Sequence, residues 1–107
     1  MVELSGGALT ERVVTPADFG LSERPIASVR GGDPAFNARI IRAVIDGENA
    51  PARTGILLNA AASLYAAGAA DSFRDGAALA AHIVDSGQAA ATLDRIGYTA
   101  EERAAAA

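Results

Sequence analysis

The 107-residue chain has no cysteine, so disulfides and thiolate metal sites are excluded. A reducing compartment is compatible with that absence. Tryptophan is missing as well, and the aromatic side chains are Phe19, Phe36, Tyr65, Phe73 and Tyr98. Few large anchors are therefore available. Hydrophobic residues make up 50% of the chain, but many are alanines that each bury little area. A core has to come from close helix packing and a limited set of Ile, Leu and Val side chains. Long apolar runs are also lacking. The most apolar stretch, Ile56 to Ala70, is shorter than the ~20 residues of a membrane-spanning helix and contains Asn59 and Gly68. Met1 to Ser5 has neither the basic region nor the apolar run of a signal peptide. We expect a cytoplasmic protein with no membrane partner.

Positive charge is scarce and scattered. Nine basic residues, all arginine, face thirteen acidic ones, for a net charge of −4. No cluster exists that could neutralise a run of phosphates, so no nucleic-acid partner is expected. Histidine occurs once, as His82. Metal and Ser–His chemistry need convergent sets of ligands or partners, and His82 has no second His and no Cys to join it. It falls on the polar side of its helix and reads as a surface histidine.

The chain that remains is α+β: a hairpin over residues 1–15, a connector over 16–32 and three to four packed helices over 33–98. Together these form a single partial domain, 1–98, followed by an alanine-rich tail, 99–107. Val2 and Leu4 alternate with polar neighbours, Ser5-Gly6-Gly7 supplies a turn, and Leu9, Glu11 and Val13 resume the alternation. A lone hairpin is marginal in water, so this one needs a covering surface. Pro16, Gly20, Pro25, Gly31 and Gly32 punctuate the connector, which Phe19, Leu21, Ile26 and Val29 are expected to pin to the core.

Helix signals follow. Asp33 is a good N-cap, Pro34 suits the first helical position, and Phe36, Ile40, Ile41, Val44 and Ile45 form an apolar stripe up to Gly47. A second helix is expected from about Pro51 to Ala67, with Ile56, Leu57, Ala60, Ala61 and Leu64 on its apolar face. A third begins after Ser72, which with Asp75 resembles a capping box, and ends at Ser86-Gly87. A short fourth is expected from Gln88 to Ile96, stopping at Gly97.

Gly31-Gly32-Asp33 is the tempting chemical feature, because a glycine-rich turn opening a helix can bind anions. Pro34 argues against it by removing one backbone donor there. Flexible access to a capped helix is the reading we adopt; a phosphate-binding domain using Gly31 and Gly32 is the weaker one. Asp71 and Asp75 sit where negative charge suits a helix start. Glu101-Glu102 lies in the tail. Neither pair accompanies a phosphate loop, so neither is read as a Mg²⁺ site. We assign no catalytic, cofactor-binding or metal-binding residue.

Four groups of residues, in order, resemble anthranilate phosphoribosyltransferases. Val14-Thr15-Pro16-Ala17-Asp18-Phe19-Gly20-Leu21 resembles their "TPEDFGL" stretch. Gly31-Gly32-Asp33-Pro34-Ala35-Phe36-Asn37-Ala38 resembles their "GGD…NA" helix start. Gly47, Pro51-Ala52-Arg53 and Leu57 through Tyr65 resemble "G…PARD…LLNAAAALY", with Thr54 in place of the usual Asp. Asp71-Ser72-Phe73 through Gly76 and Ile83 through Ala89 resemble "DSLxEG…IDSGxA". The likeness spans residues 2 to 96 and is to the C-terminal part of the family's α/β domain.

The resemblance implies Mg²⁺-dependent transfer of a phosphoribosyl group from phosphoribosyl pyrophosphate to the amino nitrogen of anthranilate, in tryptophan biosynthesis. It also implies a homodimer for the full enzyme. The family's "GTGGD", "NxST" and "KHGNR" segments, its anthranilate-contacting Arg and its Asp-Glu metal pair are not found in this sequence. Gly31-Gly32-Asp33 is not the "GTGGD" loop, since Val29-Arg30 precedes it. The expectation is a scaffold segment that carries no cofactor itself and is inactive alone. Its partner would be the missing N-terminal part of the enzyme, or a second copy meeting it through an exposed apolar face. The alternative is a non-enzymatic helical module, derived from the family, that binds another protein.

Overall fold

A computed structural model describes the backbone of residues 1–106 and the side chains of residues 1–97. Strands β1 (Val2–Ser5) and β2 (Ala8–Glu11) form an antiparallel pair with Leu4 opposite Leu9 and Glu3 opposite Thr10. Gly6 and Gly7 both take positive φ, 57° and 80°, which the tight two-residue turn requires. Two single-turn 3₁₀ segments, Pro16–Phe19 and Ile26–Val29, make up the connector. Helices α1 (Pro34–Ile45), α2 (Arg53–Ala66), α3 (Phe73–Asp85) and α4 (Gln88–Ala106) follow.

The helix starts follow from local chemistry. The Asp33 carboxylate accepts from the Phe36 N–H at 2.8 Å, with Pro34 at the first helical position. The Ser72 hydroxyl accepts from the Asp75 N–H at 3.0 Å. A further cap lies in the connector, where the Thr15 N–H donates to the Asp18 carboxylate at 2.8 Å. Gly47 closes α1 with a φ of 90°.

The core lies between α2 and α3, with the first 3₁₀ turn across one end. Phe19, Ala61, Phe73 and Ala77 form one buried cluster, and Leu57, Ala80 and Val84 another; Leu21 packs against both. Phe19 stacks on Phe73 with ring centroids 4.7 Å apart, and Tyr65 meets Phe73 edge-on at 4.5 Å. Gly76 explains how two alanine-rich helices come so close. A Cβ there would sit 2.7 Å from the Ala61 carbonyl oxygen, so only glycine fits against that backbone.

Several expectations fail in detail. Val44 is fully buried on α1, but Phe36 and Ile41 are exposed, because little lies over that part of the helix. Ile26 is 84% exposed and Val29 is exposed too, so of the four expected anchors it is Phe19 and Leu21 that pack into the core. Helix α4 does not stop at Gly97. It runs to Ala106, because Gly97 takes a helical backbone and the penalty of one glycine, about 1 kcal/mol, does not break the helix. The radius of gyration, 15.9 Å, exceeds the roughly 13 Å expected of a compact chain this long.

Candidate functional site

The sequence-derived candidates for chemistry do not converge. His82 is exposed on α3. Asp71 and Asp75 lie exposed at the start of α3, and Glu101-Glu102 lies outside the residues whose side chains are described. Among the described residues no group of three or more His, Cys, Asp or Glu is placed to share a metal ion. Among the described residues no helix is long and apolar enough to cross a membrane.

The Gly31-Gly32-Asp33 turn is occupied by its own chain. The Asn37 side chain grips Gly32 from both sides: its carbonyl accepts from the Gly32 N–H at 2.8 Å, and its amide donates to the Gly32 oxygen at 3.1 Å. Asp33 takes the Phe36 N–H, and Pro34 has none to give. The Gly32 and Phe36 donors are thus used and the Pro34 donor is absent, and a carboxylate stands at the helix start.

What the structure does assemble is exposed apolar surface. Leu4 and Leu9 are cross-strand neighbours and are 71% and 73% exposed; Val2 beside them is 64% exposed. The hairpin thus turns its apolar face away from the helices. Its polar face turns inward and is held by specific contacts. The Tyr65 hydroxyl donates to the Glu3 carboxylate at 2.5 Å, and the Arg12 guanidinium lies 4.8 Å from the Phe73 ring centre. That hydrogen bond, reinforced by partial burial and by the Glu3 charge and opposed by Arg12, raises the Tyr65 pKa above its ordinary value.

A second apolar surface is a cleft of about 440 Å³ between α1, α2 and the second 3₁₀ turn, lined by Val29, Ile40, Ile41 and Ile56 with Asn37 and Asn59 at its polar edge. Its depth depends on Gly55, where a Cβ would meet the Val29 side chain at 2.9 Å. Asn59, which the sequence marks as the polar residue of α2, is exposed and donates to the Gly55 oxygen at 2.9 Å. The hairpin's anchor escaped the sequence reading. Glu3 and Tyr65 are 62 residues apart, and neither stands in a motif that names the other.

The family model described as "Glycosyl transferase family, a/b domain" matches residues 1–90. Anthranilate phosphoribosyltransferase from Methylocella silvestris is 45% identical over 96 residues, which cover 90% of this chain and 28% of that protein. Anthranilate phosphoribosyltransferase 2 from Streptomyces coelicolor is 44% identical over 104 residues, 97% of this chain and 31% of that protein. The Methanobrevibacter smithii anthranilate phosphoribosyltransferase is 42% identical over 98 residues, 91% of this chain and 29% of that protein. The chain spans less than a third of the length of these relatives, and the part it matches is C-terminal. No solved structure matches it significantly. With more than four-fifths of its length matched by the family model, the chain belongs to the glycosyl transferase family, a/b domain.

Proposed function

We propose that this chain is the C-terminal scaffold segment of an enzyme of the anthranilate phosphoribosyltransferase type. In this reading it works in the cytoplasm and serves tryptophan biosynthesis. The phosphate loops, the anthranilate-contacting Arg and the Mg²⁺-binding pair belong to the complementary part of the enzyme, so this chain is inactive alone. Its task is to complete and steady the α/β domain that carries those groups, within a homodimeric enzyme.

One observation carries the reading. A chain that matches an a/b-domain family over residues 1–90 has only a two-stranded sheet among its described residues, and it turns Leu4, Leu9 and Ile26 to solvent. Exposed apolar surface of this kind marks association. The test is an assay of the purified chain with phosphoribosyl pyrophosphate, anthranilate and Mg²⁺, alone and with the complementary part of a relative. The expected result is no turnover alone and turnover on mixing. Sustained turnover by the chain alone would overturn the proposal.

A further inference from the structure

Carboxylates outnumber arginines in this chain by thirteen to nine, yet one face of α1 is lined by arginine without them. The hollows beside the hairpin follow the overall excess: Asp71 stands in the wall of both, Glu3 in one and Asp18 in the other. Three hollows along α1 do not. One of about 400 Å³ lies between α1, the second 3₁₀ turn and residues 50–52, and its charged lining residues are Arg30 and Arg39. It shares Arg30 and Ile40 with the 440 Å³ cleft, where Arg30 is again the charged residue. It shares Arg39 with a third, of about 510 Å³, whose other charged residue is Arg42. Among the described residues, the three hollows thus form one apolar face whose charges are all positive.

Helical spacing puts this face together. Phe36, Arg39, Ile40 and Ala43 fall at i, i+3, i+4 and i+7 on α1, and all line the 400 Å³ hollow. The Asp33 cap fixes where the helix begins and so which residues share that side. Phe36 is 41% exposed, and the Arg39 guanidinium stands 5.9 Å from its ring centre. Arg42, in the neighbouring hollow, is already held by Asp46 at 3.2 Å and Asp94 at 2.7 Å. No carboxylate meets Arg30 or Arg39 in this way among the described residues. Two uncompensated cations therefore border an apolar hollow with an exposed aromatic ring in its wall. Arginine and aromatic side chains are those that protein interfaces favour.

We propose that this face binds an acidic peptide segment of another protein. An apolar side chain of the segment fills the hollow beside Phe36 and Ile40, and carboxylates next to it pair with Arg30 and Arg39. Such binding is additional to the scaffold role and independent of it. Charge complementarity chooses the occupant. A second copy that met this face with its own would set arginine against arginine, which is repulsive. Nucleic acid would supply negative charge but no apolar side chain for a wall that includes Phe36, Ile40, Ala43 and Pro51. A segment with both apolar side chains and carboxylates satisfies both parts of the surface. The two arginines are exposed, so their pairing is screened by salt and adds selectivity more than affinity.

The experiment follows the amide resonances of the full 107-residue chain as a short synthetic peptide is added, with leucine on one side and glutamate on the other. Two counterparts carry glutamine for glutamate, or serine for leucine. The leucine–glutamate peptide is expected to move the Arg30, Phe36, Arg39 and Ala52 amides saturably, and added salt should weaken it. Arg30→Gln and Arg39→Gln should each weaken binding about threefold, and together about tenfold. Phe36→Ala should weaken it about tenfold. Arg74→Gln, outside the face, should leave it unchanged. Unmoved Phe19 and Phe73 amides show that a variant keeps its core, and the counterpart peptides test the unaltered chain in any case. Absence of saturable shifts overturns the proposal, as does equal loss of binding with Arg74→Gln. Equal binding of the glutamine peptide leaves apolar association alone, and equal binding of the serine peptide takes the hollow out of the contact; either overturns it. Shifts of the same amides when the chain alone is diluted would make the occupant a second copy. Saturable shifts with a short DNA duplex would make it nucleic acid. Each of these also overturns the assignment.

Discussion

Arg53 and Asp85 meet at 3.0 Å, each standing at the end of its own helix where its charge is disfavoured. Arg53 is the first residue of α2, at the positive end of that helix dipole, and Asp85 is the last of α3, at the negative end. Because the two helix ends lie side by side, each charge offsets the other. Arg53 is only 17% exposed and one of its terminal nitrogens is buried without a hydrogen-bond partner, whereas Asp85 is 54% exposed.

The pair is therefore expected to couple by about 0.5–1 kcal/mol in a double-mutant cycle of Arg53→Ala and Asp85→Ala, after allowance for solvent screening. Urea unfolding at low and high salt measures this. Salt should shrink the coupling, and a coupling of zero at low salt would show that the dipoles are not compensated.

Gly76→Ala tests the α2–α3 approach. Alanine favours a helix over glycine by about 1 kcal/mol, so a solvent-facing exchange would stabilise. Here the added Cβ meets the Ala61 oxygen at 2.7 Å and two further Ala61 backbone atoms at 3.3 Å. Backbone cannot swing aside as a side chain can, and overpacking should dominate with a net loss of about 1–2 kcal/mol. Thermal unfolding decides the sign. Gly97→Ala on α4, where a Cβ would meet nothing, should stabilise or be neutral.

These residues also show what could be read from sequence. Asp33-Pro34 and Ser72 marked helix starts because a cap closes within three residues. Gly6-Gly7 marked the hairpin because positive φ is needed at both positions. The alternation of Val2 and Leu4 showed that the hairpin has two faces. It could not show that the polar one faces inward, since that depends on Tyr65, 62 residues away from Glu3. The stripe Phe36, Ile40, Ile41, Val44 and Ile45 gave the helix correctly, yet only Val44 is fully buried. Periodicity reports which side is apolar, whether or not the described residues cover it. The place of Gly76 needed knowledge of which helix crosses α3 and where. Of the candidate site, the Pro34 objection to phosphate was legible; the Asn37 grip on Gly32 was not.

That grip makes its own prediction. Asn37→Ala frees the Gly32 N–H and removes two hydrogen bonds at an exposed turn, for a loss of about 1 kcal/mol. In the unaltered chain, millimolar phosphate or diphosphate should leave the Gly31 and Gly32 amide resonances unmoved. A saturable shift at those amides would restore the phosphate reading of the turn.

The Tyr65–Glu3 bond sets an alkaline limit on hairpin docking. The hydroxyl must keep its proton to donate to the carboxylate, and the bond, with burial and the Glu3 charge, raises the Tyr65 pKa above its ordinary 10.0. A pKa raised on folding means that the stabilisation is fully present below pH 10 and is lost as pH climbs through the folded-state value. Tyr98→Phe leaves Tyr65 as the remaining tyrosine, so ultraviolet absorbance of tyrosinate can follow it directly. Ionisation should be delayed past the ordinary value, and the Glu3 and Thr10 amide resonances should shift in step with it. Tyr65→Phe should abolish that alkaline step and weaken amide protection in the hairpin even at neutral pH. Ionisation of Tyr65 at or below pH 10 would mean that the bond does not hold the hairpin against the helices.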